Sequence, residues 1–351
     1  MQKVIKSTDL NRDLSDILSR LSFDKLFLLT DENTERLCYP LVKDNTQIAK
    51  AGKIIIKAGD DNKNIETLSS IWKYLSENGA TRHSLLINLG GGMLTDIGGF
   101  AAASFKRGIK CINIPTTLLG AVDAAVGGKT GINFNGLKNE IGAFAPAETV
   151  LIDSVFFKSL DHQNFLSGYA EMIKHGLIDS DKEWLATMSF DTEEIDYEKL
   201  KQLVVDSVGV KERIVEIDPF EKGMRKALNL GHTIGHAFES MSYELNKPVQ
   251  HGYAVAWGII CELYLSHRFC GFPKEKMYKT IYFIKDNYHG FYFDCDHYER
   301  LYEYMKHDKK NESDTVNFTF LSDVGKIEIN QTASKEDIFD AIDFLRESVG
   351  L

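Results

Sequence analysis

The first 150 residues alternate short apolar runs with segments of helical spacing, and that alternation admits few architectures. Lys25–Thr30 is an apolar run that stops at the polar Asp31-Glu32-Asn33, and Lys53–Lys57 is a second, closed by Ala58-Gly59-Asp60-Asp61-Asn62. Ser84–Leu89 and Cys111–Ile114 read as a third and a fourth strand. Between them, Ile65–Glu77 places Leu68, Ile71, Trp72 and Leu75 along one helical side. Strands separated by helices predict a parallel sheet covered by helices. Sites on such sheets lie at the carboxyl ends of the strands.

Unusual loops stand at those ends. The third strand runs into Gly90-Gly91-Gly92-Met93-Leu94-Thr95-Asp96-Ile97-Gly98-Gly99, a strand, a glycine cluster and a helix start. That order lets backbone amides approach a diphosphate. The spacing is not the Gly-x-Gly-x-x-Gly of a usual dinucleotide fold, so a simple tight turn explains the loop equally well. The fourth strand leads into Pro115-Thr116-Thr117-Leu118-Leu119 and then Asp123-Ala124-Ala125-Val126-Gly127-Gly128-Lys129-Thr130. Gly-Gly-Lys-Thr looks like the end of a P-loop, but Ala124 stands where its first glycine belongs and no strand immediately precedes it. A nucleotide-triphosphatase reading is rejected on that ground. An Asp and a Lys remain in a glycine-rich loop, followed by Lys138-Asn139, a combination suited to an anion.

From about residue 151 the character changes. Val155–Leu166, Gly168–Leu177, Tyr197–Ile217, Gly223–Tyr243, Gly252–Phe269 and Lys274–Asn287 read as helices, with a hairpin at Thr315–Leu321 and Lys326–Ile329. The expected division is an α/β domain over 1–150 and a mainly α-helical domain over 151–351, with the boundary near Pro146–Ser154. Wound as one α-helix, Arg225–Phe238 sets Arg225, Asn229, His232 and His236 on a narrow stripe flanked by apolar residues. Such groups are costly to bury unless they face a ligand, a metal or each other. Glu171, Lys174 and His175 share a helical face as well. A surface ion pair would explain Glu171 and Lys174, but their neighbours Tyr169, Met172, Ile173 and Leu177 are apolar. Histidine and carboxylate ligands suit zinc. Spacing alone pairs His232 with His236, and His-Thr-Ile-Gly-His lacks the Glu of a zinc protease.

A chain of 351 residues with a net charge of −10 is not built for nucleic acid or an anionic membrane. Five scattered cysteines, Cys38, Cys111, Cys261, Cys270 and Cys295, lack the spacing of a disulfide frame. No apolar leader or membrane-length run is evident, so a soluble, cytoplasmic protein is the expectation.

Six motifs in order carry a specific resemblance. They are Gly-Gly-Gly–x3–Asp–x–Gly-Gly-Phe, Pro-Thr-Thr-Leu-Leu, Asp–x5–Lys-Thr with its paired glycines, Lys-Asn–x2–Gly-x-Phe, Gly–x–Ala-Glu–x2–Lys and Leu-Asn–x–Gly-His-Thr–x–Gly-His-Ala. Together, most densely from Leu85 to Gly258, they resemble the 3-dehydroquinate synthase family of sugar phosphate cyclases. The resemblance implies a dehydroquinate synthase-like fold, with a Rossmann-like NAD domain, a helical metal domain and an active site between them. It implies a shikimate-pathway lyase of aromatic amino acid biosynthesis. Such an enzyme converts 3-deoxy-D-arabino-heptulosonate 7-phosphate to 3-dehydroquinate and phosphate, by transient oxidation with NAD, elimination, re-reduction and intramolecular aldol addition.

Carried onto this chain, the resemblance gives Glu171, His232 and His251 as ligands of Zn2+ or Co2+, which moves His236 from the metal to the substrate. By the same resemblance, NAD contacts would be Asp31, Asn33, Asp60, Lys63, Gly91, Gly92, Met93, Asp96, Thr116, Thr117, Leu119, Asp123, Lys138, Asn139 and Phe156. The resemblance further implies substrate and catalytic contacts from Asp123, Lys129, Asn139, Lys174, Lys211, Arg225, Asn229, His236 and Lys309 or its neighbour Lys310, with Arg107 supplied across a homodimer interface. Asp60, Leu137, Asn164 and Tyr253 depart from the usual family residues. Rival readings are a 2-deoxy-scyllo-inosose or epi-valiolone synthase, and a glycerol-dehydrogenase-like oxidoreductase. Lys211, Arg225 and Asn229 together favour a carboxylate-bearing substrate.

Overall fold

The computed structural model describes residues 2–135, 137–306 and 316–350. Lys309 and Lys310 lie outside them. The chain divides into two compact units, Met1–Asp161 and His162–Leu351.

In the first unit the described residues form a six-stranded parallel sheet, in the order β1-β8-β5-β4-β2-β3. The strands are β1 (Lys3–Lys6), β2 (Leu26–Asp31), β3 (Gly52–Ile56), β4 (Leu85–Gly90), β5 (Lys110–Pro115) and β8 (Thr149–Ile152). The helices between them are α1 (Leu10–Arg20), α2 (Glu32–Leu37), α3 (Ile65–Glu77) and α4 (Gly92–Ser104). The four strands read from apolar runs are present. β4 is buried along its whole length, as a central parallel strand must be. The unit ends later than residue 150 because β8 pairs with both β1 and β5, and the turn Ser154–Ser159 buries Phe156 and Phe157.

The glycine-rich stretch read over Asp123–Thr130 runs into an antiparallel hairpin of β6 (Lys129–Phe134) and β7 (Leu137–Phe144), which carries Lys138 and Asn139. The hairpin packs on α4, where a Cβ on Gly99 would stand 2.6 Å from Thr130 Cγ2. Across α4, a Cβ on Gly98 would collide with Asn88 Oδ1 and stand 2.8 Å from Leu29 Cδ2. Helix α4 can therefore lie directly against the centre of the sheet, with Leu94, Ile97, Ala101 and Ala102 fully buried.

The second unit contains α5 (His162–Asp179), α6 (Asp181–Met188), α7 (Tyr197–Ile217), α8 (His232–Glu244), α9 (His251–Cys270), α10 (Lys274–Asn287), α11 (Tyr298–Lys306) and α12 (Lys335–Val349). The hairpin β9 (Phe318–Asp323) and β10 (Lys326–Gln331) adds a small sheet. Helix α9 is buried almost all round, from Gly252 to Leu263, and α5, α8, α10, α12 and β9 pack on it. Residues 155–177, expected as two helices, are a short turn and the single helix α5. No helix among the described residues is long and apolar enough to cross a membrane.

Because α4 approaches the sheet with no room for a methyl group, Gly98→Ala should destabilise the chain by about 1–3 kcal/mol. Chemical denaturation reads this as a lowered midpoint. An unchanged midpoint would mean that the packing is looser than described.

Candidate functional site

In the first unit, the chain steps from β2 outward to β3 and then returns to β4 on the other side of β2. The strand order reverses between β2 and β4, and ligands of open parallel sheets bind at the carboxyl ends beside such a reversal. Asp31 ends β2, and Gly90-Gly91-Gly92 ends β4. Asp31 Oδ1 accepts the amides of Asn33 at 2.9 Å and Thr34 at 2.8 Å, so it caps α2, in whose first turn Asn33 is exposed. Helix α4 begins at Gly92 behind Gly91, and no side chain of its N-cap meets the first-turn amides. These amides of Gly92, Met93 and Leu94 carry the positive end of the helix dipole and suit an anion.

The next loop packs on this turn. A Cβ on Gly91 would stand 2.9 Å from Thr117 Cγ2, and one on Gly92 3.0 Å from Ala124 Cβ. The Thr116 amide donates to Gly90 O at 3.0 Å, and Thr117 Oγ1 accepts from the Gly120 amide at 3.0 Å. Leu119 and Asp123 follow within the same half-buried stretch. A polar cluster also forms on buried Lys63. Its Nζ donates to Asp96 Oδ2 at 2.6 Å and to Asn139 Oδ1. The Asn139 amide donates to Asn133 Oδ1 at 2.9 Å, Asn133 Nδ2 reaches Asp60 Oδ2 at 3.2 Å, and Lys138 lies 3.5 Å from the same carboxylate. The hairpin thus brings Lys138 and Asn139 to Asp60, Lys63 and Asp96. Asn133, which ties them together, was not expected from the sequence, and no spacing signal marks it.

Other expected residues of this unit stand apart. Arg107 is exposed after α4, at the amino end of β5 and so at the sheet edge opposite these loops. Lys129 opens β6 as an exposed side chain, and Phe156 is a fully buried core residue.

In the second unit, Glu171 lies at 0% exposure and Lys174 at 1% on α5, so their pairing is no surface ion pair. The Lys174 ammonium contacts Glu171 Oε2. Glu171 Oε1 stands 3.3 Å from His232 Nε2 and 3.5 Å from His251 Nε2. The other ring nitrogens explain this aim. His232 Nδ1 lies 3.1 Å from Leu230 O, and His251 Nδ1 lies 3.0 Å from Glu239 Oε2. A carbonyl or a carboxylate can only accept, so each Nδ1 carries a proton and each Nε2 faces Glu171. Glu239 was missed in the sequence although it falls at i+7 from His232 and i+3 from His236, on the same helical stripe.

Burial alone would raise the Glu171 pKa. The Lys174 ammonium and the His232 imidazole outweigh it and hold the carboxyl well below the ordinary range. For His251 burial works against the charged ring, yet the Glu239 carboxylate, with Glu171, pushes its pKa up to about 10.

The expected continuous helix over 223–243 is broken. Met224–Asn229 is a 3-10 turn, Gly231 adopts φ +79, and α8 starts at His232. A Cβ on Gly231 would stand 2.6 Å from Ile259 Cγ1, so both the conformation and the packing require glycine. Arg225 and Asn229 therefore do not share a helical stripe with His232 and His236. Arg225 is 2% exposed and donates from Nη1 to Pro219 O at 2.6 Å, while Asn229 Nδ2 donates to Glu221 Oε1 at 3.0 Å. Their turn packs on α5 and on α7, which bears the buried Lys211. Three buried cations thus stand on three mutually packed elements. Buried charge at that density is expensive unless acceptors or anions surround it.

The donor set fits a divalent ion. Tetrahedral zinc with ligands about 2.0–2.1 Å away separates those ligands by roughly 3.3 Å, close to the two Glu171–imidazole distances. Neither Glu171 oxygen has a hydrogen bond of regular geometry among the described residues. His236 is a neighbour, its ring centroid 5.3 Å from that of His232 and 5.7 Å from that of His251. The three histidines can each offer a nitrogen within 4.8 Å of the others, a looser set.

Comparison with known proteins agrees along the whole length. Residues 53–167 match the 3-dehydroquinate synthase N-terminal family and residues 168–311 the 3-dehydroquinate synthase C-terminal family. A 3-dehydroquinate synthase of Parabacteroides distasonis is 57% identical over 350 residues, covering 100% of this chain and 99% of that protein. One from Clostridium tetani is 38% identical, covering 92% and 86%. Among solved structures, a 2-deoxy-scyllo-inosose synthase complexed with carbaglucose-6-phosphate, NAD+ and Co2+ superposes with a TM-score of 0.83 at 22% identity. It covers 96% of this chain and 94% of its own. A 2-epi-5-epi-valiolone synthase from Streptomyces hygroscopicus with NAD+ and Zn2+ bound gives 0.84 at 22%, covering 99% and 97%. The chain belongs to the 3-dehydroquinate synthase family.

Proposed function

We propose that the chain converts 3-deoxy-D-arabino-heptulosonate 7-phosphate to 3-dehydroquinate and phosphate, using NAD and a divalent metal ion. The observation that carries this reading is Glu171 Oε1 facing the Nε2 atoms of His232 and His251, in a chain 57% identical to a 3-dehydroquinate synthase end to end. The inosose and valiolone cyclases are alike in fold at 22% identity, which supports the architecture and not their substrates.

Glu171, His232 and His251 would hold zinc or cobalt. NAD would meet the backbone at the α4 start, Gly91, Gly92 and Met93, then Asp31 and Asn33 at the β2–α2 junction, Thr116, Thr117, Leu119 and Asp123, the cluster of Asp60, Lys63, Asp96, Lys138 and Asn139, and Phe156. When bound, NAD supplies a reversible hydride acceptor and the ion a Lewis acid for a substrate hydroxyl. The chain's own contribution is charge and position. Lys174, Lys211 and Arg225, with Asn229 and His236, would grip the substrate's carboxylate and phosphate through charge-assisted hydrogen bonds. Lys129, Asn139, Lys309 or Lys310 and a partner copy's equivalent of Arg107 would add to them. Cations fixed beforehand stabilise the charge that gathers on departing phosphate. They also reconcile a net charge of −10 with an acidic substrate.

Two further readings go with this one. A homodimer is supported by exposed apolar residues on the β6–β7 hairpin, where Leu137 is 55% and Phe144 52% exposed. A reducing, cytoplasmic setting suits five free cysteines.

The purified protein should release phosphate and form 3-dehydroquinate from the heptulosonate with only catalytic NAD. Chelation should stop turnover, and zinc or cobalt should restore it. Stoichiometric NADH accumulation, or turnover of glucose 6-phosphate in its place, would sink the reading. In a second test, Arg225→Ala should lower kcat/KM for the heptulosonate by roughly 10–100-fold, the worth of one or two charged hydrogen bonds. NAD affinity should stay near that of the parent chain. An equal loss of NAD affinity would mean that Arg225 serves another purpose.

A further inference from the structure

We infer that Glu262 is a positioning residue for the metal site, holding the start of α8 so that His232 faces Glu171 before any ion arrives. The inference rests on the metal-site reading above. Glu262 is fully buried on α9, about three helical turns beyond His251. Its Oε2 accepts the Gly231 amide at 2.6 Å, and its Oε1 accepts the amides of Thr233 at 3.1 Å and Ile234 at 3.3 Å. These amides bracket His232.

A helix start leaves its first amides without partners inside the helix, and a side chain at the N-cap ordinarily takes one of them. Here the N-cap is Gly231, which has no side chain to offer. The neighbouring helix supplies the oxygen instead. A carboxylate does so with the added attraction of negative charge for the positive helix end. Between the two helices the contact is backbone on backbone. A Cβ on Gly258 would collide with Gly231 O, and one on Gly235 would stand 2.9 Å from Ala254 O. No flexible side chain separates the helices there, so little can absorb a shift of α8 against α9. The consequence reaches the site because His232 is the first residue of α8 and His251 the first residue of α9. One carboxylate thus fixes the start of the first helix relative to the second, and with it the spacing of the two imidazoles.

The test uses the full-length protein and Glu262→Gln, which keeps the shape but replaces one acceptor with an amide that faces N–H groups. Zinc affinity is read by competition with a chromophoric chelator, and ligand geometry from the visible spectrum of the cobalt-loaded protein. The variant should bind zinc roughly 10–100-fold more weakly, the usual cost of losing an orienting partner, and show an altered cobalt spectrum. NAD affinity should be unchanged. Wild-type zinc affinity and cobalt spectrum in the variant would overturn the inference. If the variant does not fold, hydrogen exchange of the wild-type protein in chelator decides. The Thr233 and Ile234 amides should be as protected as the core of α9, and exchange at the rate of open amides would overturn the inference. A wild-type protein that binds no zinc defeats the metal-site reading and this inference with it.

Discussion

A carboxylate with no access to water stands at the centre of the helical unit, and the arrangement around it follows from that constraint. Burying a charge costs several kcal/mol unless opposite charge surrounds it. Glu171 meets that condition with Lys174 one turn along α5 and with two imidazoles brought from the starts of α8 and α9. Each imidazole is itself anchored through Nδ1, His232 by the Leu230 carbonyl and His251 by Glu239. Anchors of this kind set which ring nitrogen presents a lone pair to an ion. The groups that keep Glu171 ionised are thus arranged so that a divalent cation can replace the protons they share.

Both units place their candidate ligand groups at helix starts. The first exposes the uncapped amides of α4 beside the strand-order reversal. The second sets His232 and His251 at the first positions of α8 and α9. Glycine makes each arrangement possible by removing a side chain where neighbouring elements come too close for one, at Gly91 and Gly98 in one unit and at Gly231 and Gly258 in the other.

How much of this could be read in advance depended on whether local pattern or distant packing decided the outcome. Helices α3, α7 and α10 lie within the spans expected for them, because amphipathic spacing runs their length and Asn64 and Asp196 mark two of the starts. The central strands were legible as continuous apolar runs. The β6–β7 hairpin was not, since β7 is exposed along most of its length and shows no alternation. The single helix expected over 225–238 failed at Gly231. The apolar period continues through that residue, while its positive φ and its close packing against Ile259, far away in sequence, leave no place for a side chain. Glu171 and His232 stood out as chemistry on apolar faces. Asn133, Glu239 and Glu262 did not, because each acts through partners that only the fold brings near.

Glu171, His232 and His251 are proposed as the metal centre in preference to the three neighbouring histidines. Anomalous diffraction at the zinc edge, from crystals of the zinc-loaded protein, tests this assignment most directly. A single strong peak is expected within bonding distance of Glu171 Oε1 and the Nε2 atoms of His232 and His251. A peak bonded to His232, His236 and His251 with Glu171 outside the coordination sphere would contradict it.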